Sequence, residues 1–178
     1  MSNIKKLLKI KQKTFTSKDL SKILDIQNKS TLKMTTKRYV DKGILYRIKN
    51  GLFSLHDPLD INKQYLYQKL IKDFCYLSCE SILVQKGIIF QKIYHHTFVG
   101  TRNRKIQYLD DSILVRQMNS LFLLNSTGIY KDNQGLLKAD TERAVADILY
   151  YNPNYYFDNF KQINFSKVKR YQKQIRYA

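Results

Sequence analysis

Long apolar runs are absent from this chain of 178 residues, and none approaches the roughly 18 residues that a membrane-spanning helix needs. The N-terminal segment MSNIKKLLKIKQK alternates lysine with leucine and isoleucine, so it lacks the continuous apolar stretch of a secretory signal. With 43% apolar and 13% aromatic residues, the chain can still bury the core of one medium domain or of two small ones. These features predict a soluble, cytoplasmic protein that does not interact with a membrane.

Cysteine and glycine are scarce. The six glycines include no glycine-rich phosphate-binding loop. Cys75 and Cys79, the two cysteines, lie four residues apart, a spacing that on a helix places both on one face. Half of a metal site is one interpretation, but no histidine is spaced to complete it, and reduced, partly buried thiols are favoured. The sequence therefore predicts no metal site and no cofactor.

Acidic residues are also few, 14 against 32 lysines and arginines, which gives a net charge of +18. The excess is uneven: residues 1–50 carry fourteen cations and three acids, and residues 161–178 carry six cations and no acid. Because lysine and arginine displace the counterions condensed on phosphates, two basic ends favour a polyanionic partner. Lysine used only for solubility is the alternative.

The N-terminal third has the element order of a winged helix-turn-helix. After a short helical pattern in residues 3–13, Thr16 or Ser17 can cap one helix, and Ser30 or Thr31 can cap a second with the sequence STLKMTTKRYVDK. Gly43 ends that helix, and the apolar segments ILYRI and LFSLH then predict a β-hairpin turned at KNG. We predict a DNA-binding domain in residues 1–57.

The second of these helices is the candidate recognition helix. Its polar side chains would contact base edges and phosphates in the major groove, while the hairpin reaches the adjacent backbone or minor groove. A winged helix that contacts only proteins is the alternative, but such modules usually lack a basic recognition face. The predicted DNA-binding residues are Lys18, Lys29, Ser30, Thr31, Lys33, Met34, Thr35, Lys37, Arg38, Arg47, Lys49 and Asn50.

Residues 58–178 mix helical and strand-like patterns, so an α+β fold is predicted. Segment 62–87 predicts two helices, and segments between residues 88 and 139 are rich in the β-branched and aromatic residues typical of strands. Asp140 or Thr141 can cap a helix with the sequence TERAVADILYY, and a basic helix in residues 166–175 follows.

His95–His96 and Asp110–Asp111 are the candidate catalytic pairs. Neighbours on a strand face opposite sides, so we expect one histidine to be packed and the other solvated, and the two aspartates to diverge. No serine, cysteine or acid is spaced to work with the histidines. The sequence therefore predicts no catalytic residue and no enzyme.

Three segments resemble the AbiEi-type antitoxins, which are transcriptional regulators of type IV toxin–antitoxin systems. FTSKDLSKIL followed by KRYVDKGILYRIKNGLFSL is similar to the family's N-terminal winged helix. YLSCESILVQKGII is similar to the helix of small residues that opens its second domain, and ADTERAVADILYY is similar to its "ERAl-D-lly" helix. The segments keep the family's order and touch most of residues 15–151.

The resemblance implies an autorepressor that binds double-stranded DNA at inverted or direct repeats in its promoter, as a monomer or a homodimer. It also implies a second domain that counters a nucleotidyltransferase-like toxin. The matched helix contains Glu142, Arg143 and Asp147, for which anchoring of a packed helix is favoured over a part in antitoxicity. The alternative functions are a protein-interaction module and a stand-alone winged-helix regulator without a toxin partner.

Overall fold

A computed structural model describes residues 3–10 and 13–177. The fold is mixed α+β, as predicted, and the chain divides into two compact units, residues 1–70 and 71–178. The division falls after Leu70, later than the predicted boundary at residue 57. The hydroxyls of Thr14 and Tyr65 form a hydrogen bond of 3.4 Å within the first unit, and this bond ties the segment after residue 57 to the first strand.

The first unit contains the predicted helices and hairpin. Predicted segment 3–13 forms a helix only at Asn3–Leu8, and its residues 11 and 12 lie outside the described part of the chain. A 3-10 turn at Pro58–Asp60 precedes the last helix, whose final residue belongs to the second unit. In chain order the elements are α1 (Asn3–Leu8), β1 (Thr14–Thr16), α2 (Ser17–Leu24), α3 (Lys29–Asp41), β2 (Tyr46–Lys49), β3 (Leu52–Ser54) and α4 (Lys63–Ile71).

Side-chain caps set where α2 and α3 begin. Thr16 caps α2 through a reciprocal pair of bonds with Asp19: its hydroxyl accepts from the Asp19 N–H over 3.2 Å, and Asp19 accepts from the Thr16 N–H over 2.8 Å. The prediction that Ser30 or Thr31 caps α3 is wrong. Asn28 is the cap, because its Oδ1 accepts from the N–H groups of both Ser30 (2.9 Å) and Thr31 (3.0 Å).

A small antiparallel sheet, in the order β1-β3-β2, completes the first unit. The β2–β3 register shifts between Arg47 and Lys49, and Gly51 turns the hairpin with a φ of +78°. Gly43 follows α3 with a φ of +67°, as expected of a helix-ending glycine. The core that α2, α3 and the sheet share contains Leu7, Phe15, Leu20, Leu24, Leu32, Tyr39, Leu45 and Phe53.

The second unit is built on a mixed sheet. Its strands lie in the order β6-β7-β5-β4-β9-β8, with parallel pairing between β5 and β7 and between β4 and β9. A 3-10 turn at Phe160–Gln162 precedes the last helix. In chain order the elements are β4 (Cys75–Leu77), α5 (Glu80–Gln85), β5 (His95–Gly100), β6 (Arg104–Tyr108), β7 (Asp111–Gln117), α6 (Ser120–Leu123), β8 (Ile129–Lys131), β9 (Leu137–Ala139), α7 (Thr141–Tyr151) and α8 (Phe165–Ile175).

The structure corrects two expectations in this unit. Cys75 lies in strand β4 and Cys79 lies just before α5, so the two do not share a helix face. Neither forms a disulfide, as favoured, but both are fully buried whereas partly buried thiols were expected. His95 and His96 are both half-buried, whereas one packed and one solvated histidine were expected. The pairing of β5 with β7 brings His96 Nε2 to 3.9 Å from Asp111 Oδ1.

A buried ion pair anchors α7. Arg143 and Asp147 are both completely buried, and Arg143 Nε donates to Asp147 Oδ1 over 2.7 Å. Burial lowers the pKa of Arg143, but the charge and hydrogen bond of Asp147 together with the contributions of Tyr76 and Tyr177 outweigh burial, so that the pKa lies above its ordinary value. The remaining partners of the pair are the carbonyl oxygens of Phe122, Asn125 and Thr127 and the hydroxyls of Tyr76, Ser78 and Tyr177.

Glu142 lies beside this pair on α7 and bonds to Lys167 of α8 over 2.8 Å. A buried ion pair is tolerated when every donor and acceptor has a partner, and the partners of Arg143 come from four different segments. Glu142, Arg143 and Asp147 therefore tie α7 to neighbouring segments, which are the contacts that the anchoring interpretation expects.

No helix in the described part of the chain is long and apolar enough to cross a membrane. Across residues 3–10 and 13–177, no three His, Cys, Asp or Glu side chains converge as a metal site would require.

Candidate nucleic-acid interface

Helix α3 has one apolar face and one polar face. Leu32, Thr36 and Tyr39 are buried against the core of the first unit. These positions follow the three-to-four-residue spacing of one helix side, so the residues between them point outward. The polar face of α3 is therefore fixed by the packing of its opposite side.

Three cations lie on this polar face. Lys33, Lys37 and Arg38 are all exposed. Successive residues are rotated by about 100° around the helix axis. Lys33 therefore lies about 40° to one side of Lys37, and Arg38 lies about 100° to the other side. In the part of the chain that the structure describes, no carboxylate lies within 4.0 Å of their charged nitrogens. The Arg38 guanidinium carbon lies 6.0 Å from the centroid of the Tyr39 ring, which steadies its position at the edge of the face.

The uncharged members of the predicted site differ in how they are presented. Met34 is 74% exposed in the middle of the polar face, where an apolar side chain can contact a thymine methyl group. Ser30 is exposed, whereas the Thr31 hydroxyl donates to Asn28 over 3.3 Å and Thr35 is half-buried. Of these four, Ser30 and Met34 are the best placed for a ligand.

One carboxylate lies on the same helix side. Asp41 is exposed and lies one turn beyond Lys37, at the C-terminal end of α3. A polyanion that follows the helix past Lys37 would meet this negative charge. The positive face therefore ends near Arg38.

The hairpin tip adds further cations. Arg47, Lys49 and Asn50 are exposed, while Ile48 between them is buried. Residues two apart on a strand share a face, so Arg47 and Lys49 both point to solvent, away from the side on which Ile48 is buried. The Arg47 guanidinium carbon lies 5.8 Å from the centroid of the Phe53 ring.

The tip of the β2–β3 hairpin is hydrogen-bonded to the first residue of α2. The Ser17 N–H donates to the Gly51 carbonyl oxygen over 3.1 Å, which brings the exposed side chain of Lys18 into the neighbourhood of the tip. Lys29, also exposed, occupies the first position of α3. Every cation predicted for the interface is thus exposed, and all lie on α2, α3 or the hairpin.

Sequence reasoning missed two residues that position this surface, Asn28 and Ser17. The polar run QNKST offers several possible caps, and only the distance from Asn28 to two amides decides between them. The bond from Ser17 to Gly51 joins residues 34 positions apart, and such pairing leaves no local signal.

Comparisons with known proteins bear on the fold. The chain is similar in structure to the crystal structure of the RV2827C protein from Mycobacterium tuberculosis, with a TM-score of 0.55 over 96% of this chain and 69% of that one. The two sequences are 12% identical, so the similarity concerns the fold alone. No protein-family model matches the sequence, and no curated protein matches it either.

Proposed function

We propose that the chain is a transcriptional regulator that binds double-stranded DNA through a winged helix-turn-helix. In this proposal α3 is the recognition helix and the β2–β3 hairpin is the wing. The observation that carries it is the set of three exposed cations, Lys33, Lys37 and Arg38, without carboxylate partners on a helix whose opposite face is buried.

The dimensions suit the proposed ligand. An α-helix with its side chains is about 10–12 Å wide, and the major groove of B-form DNA is about 12 Å wide. Arg38 can donate two parallel bonds to a guanine edge or a phosphate, whereas Lys33 and Lys37 act as point charges. Arg47 and Lys49 on the wing would contact the neighbouring backbone or the minor groove.

The resemblance to AbiEi-type antitoxins extends the proposal to the whole chain. Its three segments fall on α2 to β3, on β4 to α5, and on α7. The protein would repress its own promoter at inverted or direct repeats, as a monomer or a homodimer. The second unit would counter a nucleotidyltransferase-like toxin of the same system, without catalysis and without a cofactor.

A triple variant tests the DNA interface. K33A/K37A/R38A should weaken binding to a duplex from the DNA upstream of the coding sequence by about 100-fold or more, because base-reading contacts each contribute about 1–3 kcal/mol. The matched control K86A/K105A/K131A removes the same charge from three exposed lysines of the second unit. Equal affinities for the two variants in a fluorescence-anisotropy titration would overturn the proposed recognition helix.

A variant that is expected to bind DNA more tightly controls for misfolding. D41N removes the one carboxylate on the outward side of α3 and should therefore tighten DNA binding severalfold at low salt. A damaged fold cannot produce tighter binding. Unchanged affinity would show that DNA does not approach this end of α3.

The antitoxin part is tested in cells. The proposal predicts that a nucleotidyltransferase-like toxin is encoded beside this chain and that co-expression of the chain restores growth of cells producing that toxin. K33A/K37A/R38A should lose repression but keep that rescue. A protein-interaction module is the second candidate, because Tyr94 and Tyr156 of the second unit are 75% and 71% exposed. Stable co-purification with a partner, together with absence of DNA binding, would favour that candidate.

A further inference from the structure

Helix α8 of the second unit also has a buried face and a charged face. Val168 and Ile175 are buried, and α8 packs against α7. Three exposed cations, Lys169, Arg170 and Lys173, lie on its outward side, and a fourth, Arg176, directly follows its last residue. Their side chains cover two turns, or about 10 Å of helix length.

The carboxylates near α8 are already paired with two other side chains of the same helix. Lys167 Nζ lies 3.1 Å from Asp140 and 2.8 Å from Glu142, and the Tyr171 hydroxyl donates to Asp140 over 2.9 Å. The hydrogen bond to Glu142, together with that to Asp140, raises the pKa of Lys167 above its ordinary value. Asp140 and Glu142 are therefore bound to Lys167 and Tyr171 and are not available to the outward cations of α8.

The outward cations have no such partner. In the described part of the chain no carboxylate lies within 4.0 Å of the charged nitrogens of Lys169, Arg170, Lys173 or Arg176, and residues 161–178 contain no acid. Lys169 and Lys173 are four residues apart, where like charges repel each other and weaken a helix. A polyanion would relieve this repulsion.

We propose that the outward face of α8 is a second phosphate-binding surface, which contacts the backbone of duplex DNA without reading its sequence. The proposal rests on the DNA-binding function proposed above, and it adds a separate contact on the other compact unit. About 10 Å of duplex carries about six phosphate charges over its two strands, and the cations of this face extend over a similar length. Such contacts raise affinity for all sequences and carry no base discrimination.

Salt dependence measures these contacts directly. Each phosphate contact adds about 0.9 to the slope of log affinity against log salt concentration. K169A/R170A/K173A should therefore lower the slope by about 2.7 on a scrambled duplex of about 30 base pairs. Between 50 and 200 mM salt the variant should lose about 40-fold less affinity than the wild type. Because alanine favours the helix, the variant should have the same helix content as the wild type in far-ultraviolet circular dichroism.

The control K86A/K105A/K131A separates a contact from a change in net charge. It removes the same three charges from other exposed positions of the second unit and should leave the slope within about one unit of the wild type. Equal slopes for the two triple variants would overturn the phosphate-binding surface. If the wild-type slope is itself near zero, both this inference and the DNA-binding proposal fail.

The two proposals also fail separately. If only K33A/K37A/R38A lowers the slope of log affinity against log salt concentration, the recognition helix is supported and the contact at α8 is refuted. Loss of slope in K169A/R170A/K173A alone would do the reverse.

Discussion

The backbone N–H of Ser17 donates to the carbonyl oxygen of Gly51 over 3.1 Å. This bond joins the first residue of α2 to the turn of the β2–β3 hairpin. Gly51 has a φ of +78°, and a Cβ added there would lie 3.4 Å from Ser17 Oγ. The position of the hairpin tip therefore depends on a backbone conformation that favours glycine.

Replacement of Gly51 tests that dependence. G51A should lower the free energy of unfolding by about 1–2 kcal/mol, because a side chain disfavours the left-handed region. Urea unfolding followed by far-ultraviolet circular dichroism measures the change. N50A alters the exposed neighbour and should stay within about 0.5 kcal/mol of the wild type. A G51A protein as stable as N50A would contradict the conformation described for the turn.

The buried pair of Arg143 and Asp147 gives a second prediction. R143M leaves the Asp147 carboxylate buried without its cation and should destabilise the protein by about 3–5 kcal/mol in urea unfolding. The double variant R143M/D147L removes both charges and should recover much of the loss. A double variant that is less stable than R143M would mean that the network stabilises chiefly through its other hydrogen bonds.

Cys79 makes stability depend on pH in the alkaline range. Burial raises the pKa of its thiol well above the ordinary value, and the charges of Asp147 and Glu80 raise it further. An unfolded thiol ionises near pH 8.5, while the native thiol keeps its proton. Its contribution to stability is therefore complete below about pH 8.5 and decreases as the pH rises above that value.

The test compares the wild type with C79A by urea unfolding from about pH 7.5 to 9.5, so that tyrosines, which begin to ionise near the upper end of this range, affect both proteins equally. The unfolding free energy of the wild type should decline more steeply, by up to about 1.4 kcal/mol per pH unit. Parallel curves for the two proteins would show that Cys79 ionises equally readily in the native and unfolded states.

Local signals identified much of the first unit. Gly43 and Gly51 marked the end of α3 and the turn of the hairpin, and both adopt the positive φ that such positions require. The spacing of Leu32, Thr36, Tyr39 and Val40 in the sequence indicates one side of a helix, and in the structure the first three are buried and Val40 is half-buried. For these elements, helix periodicity and turn chemistry act within a few residues.

Elements that depend on distant partners were missed. Strand β4 has three residues between two helices, and it forms because Cys75 pairs with Gly100 and Leu77 with Lys138. Helix α6 lies in the apolar run SLFL, which was predicted as strand but is capped by the Asn119 side chain over 3.0 Å. Short apolar runs fit either element, so tertiary pairing decides between them.

In the proposed complex, duplex DNA lies against the polar face of α3 and the hairpin tip. Nuclear magnetic resonance on the ¹⁵N-labelled protein of 21.2 kDa tests it most directly, by following backbone amide signals as a duplex from the upstream DNA is added. We expect the largest shifts at residues 29–38 and 47–51, and we expect added salt to reverse them. Shifts confined to other residues, with these two segments unchanged at saturation, would contradict it.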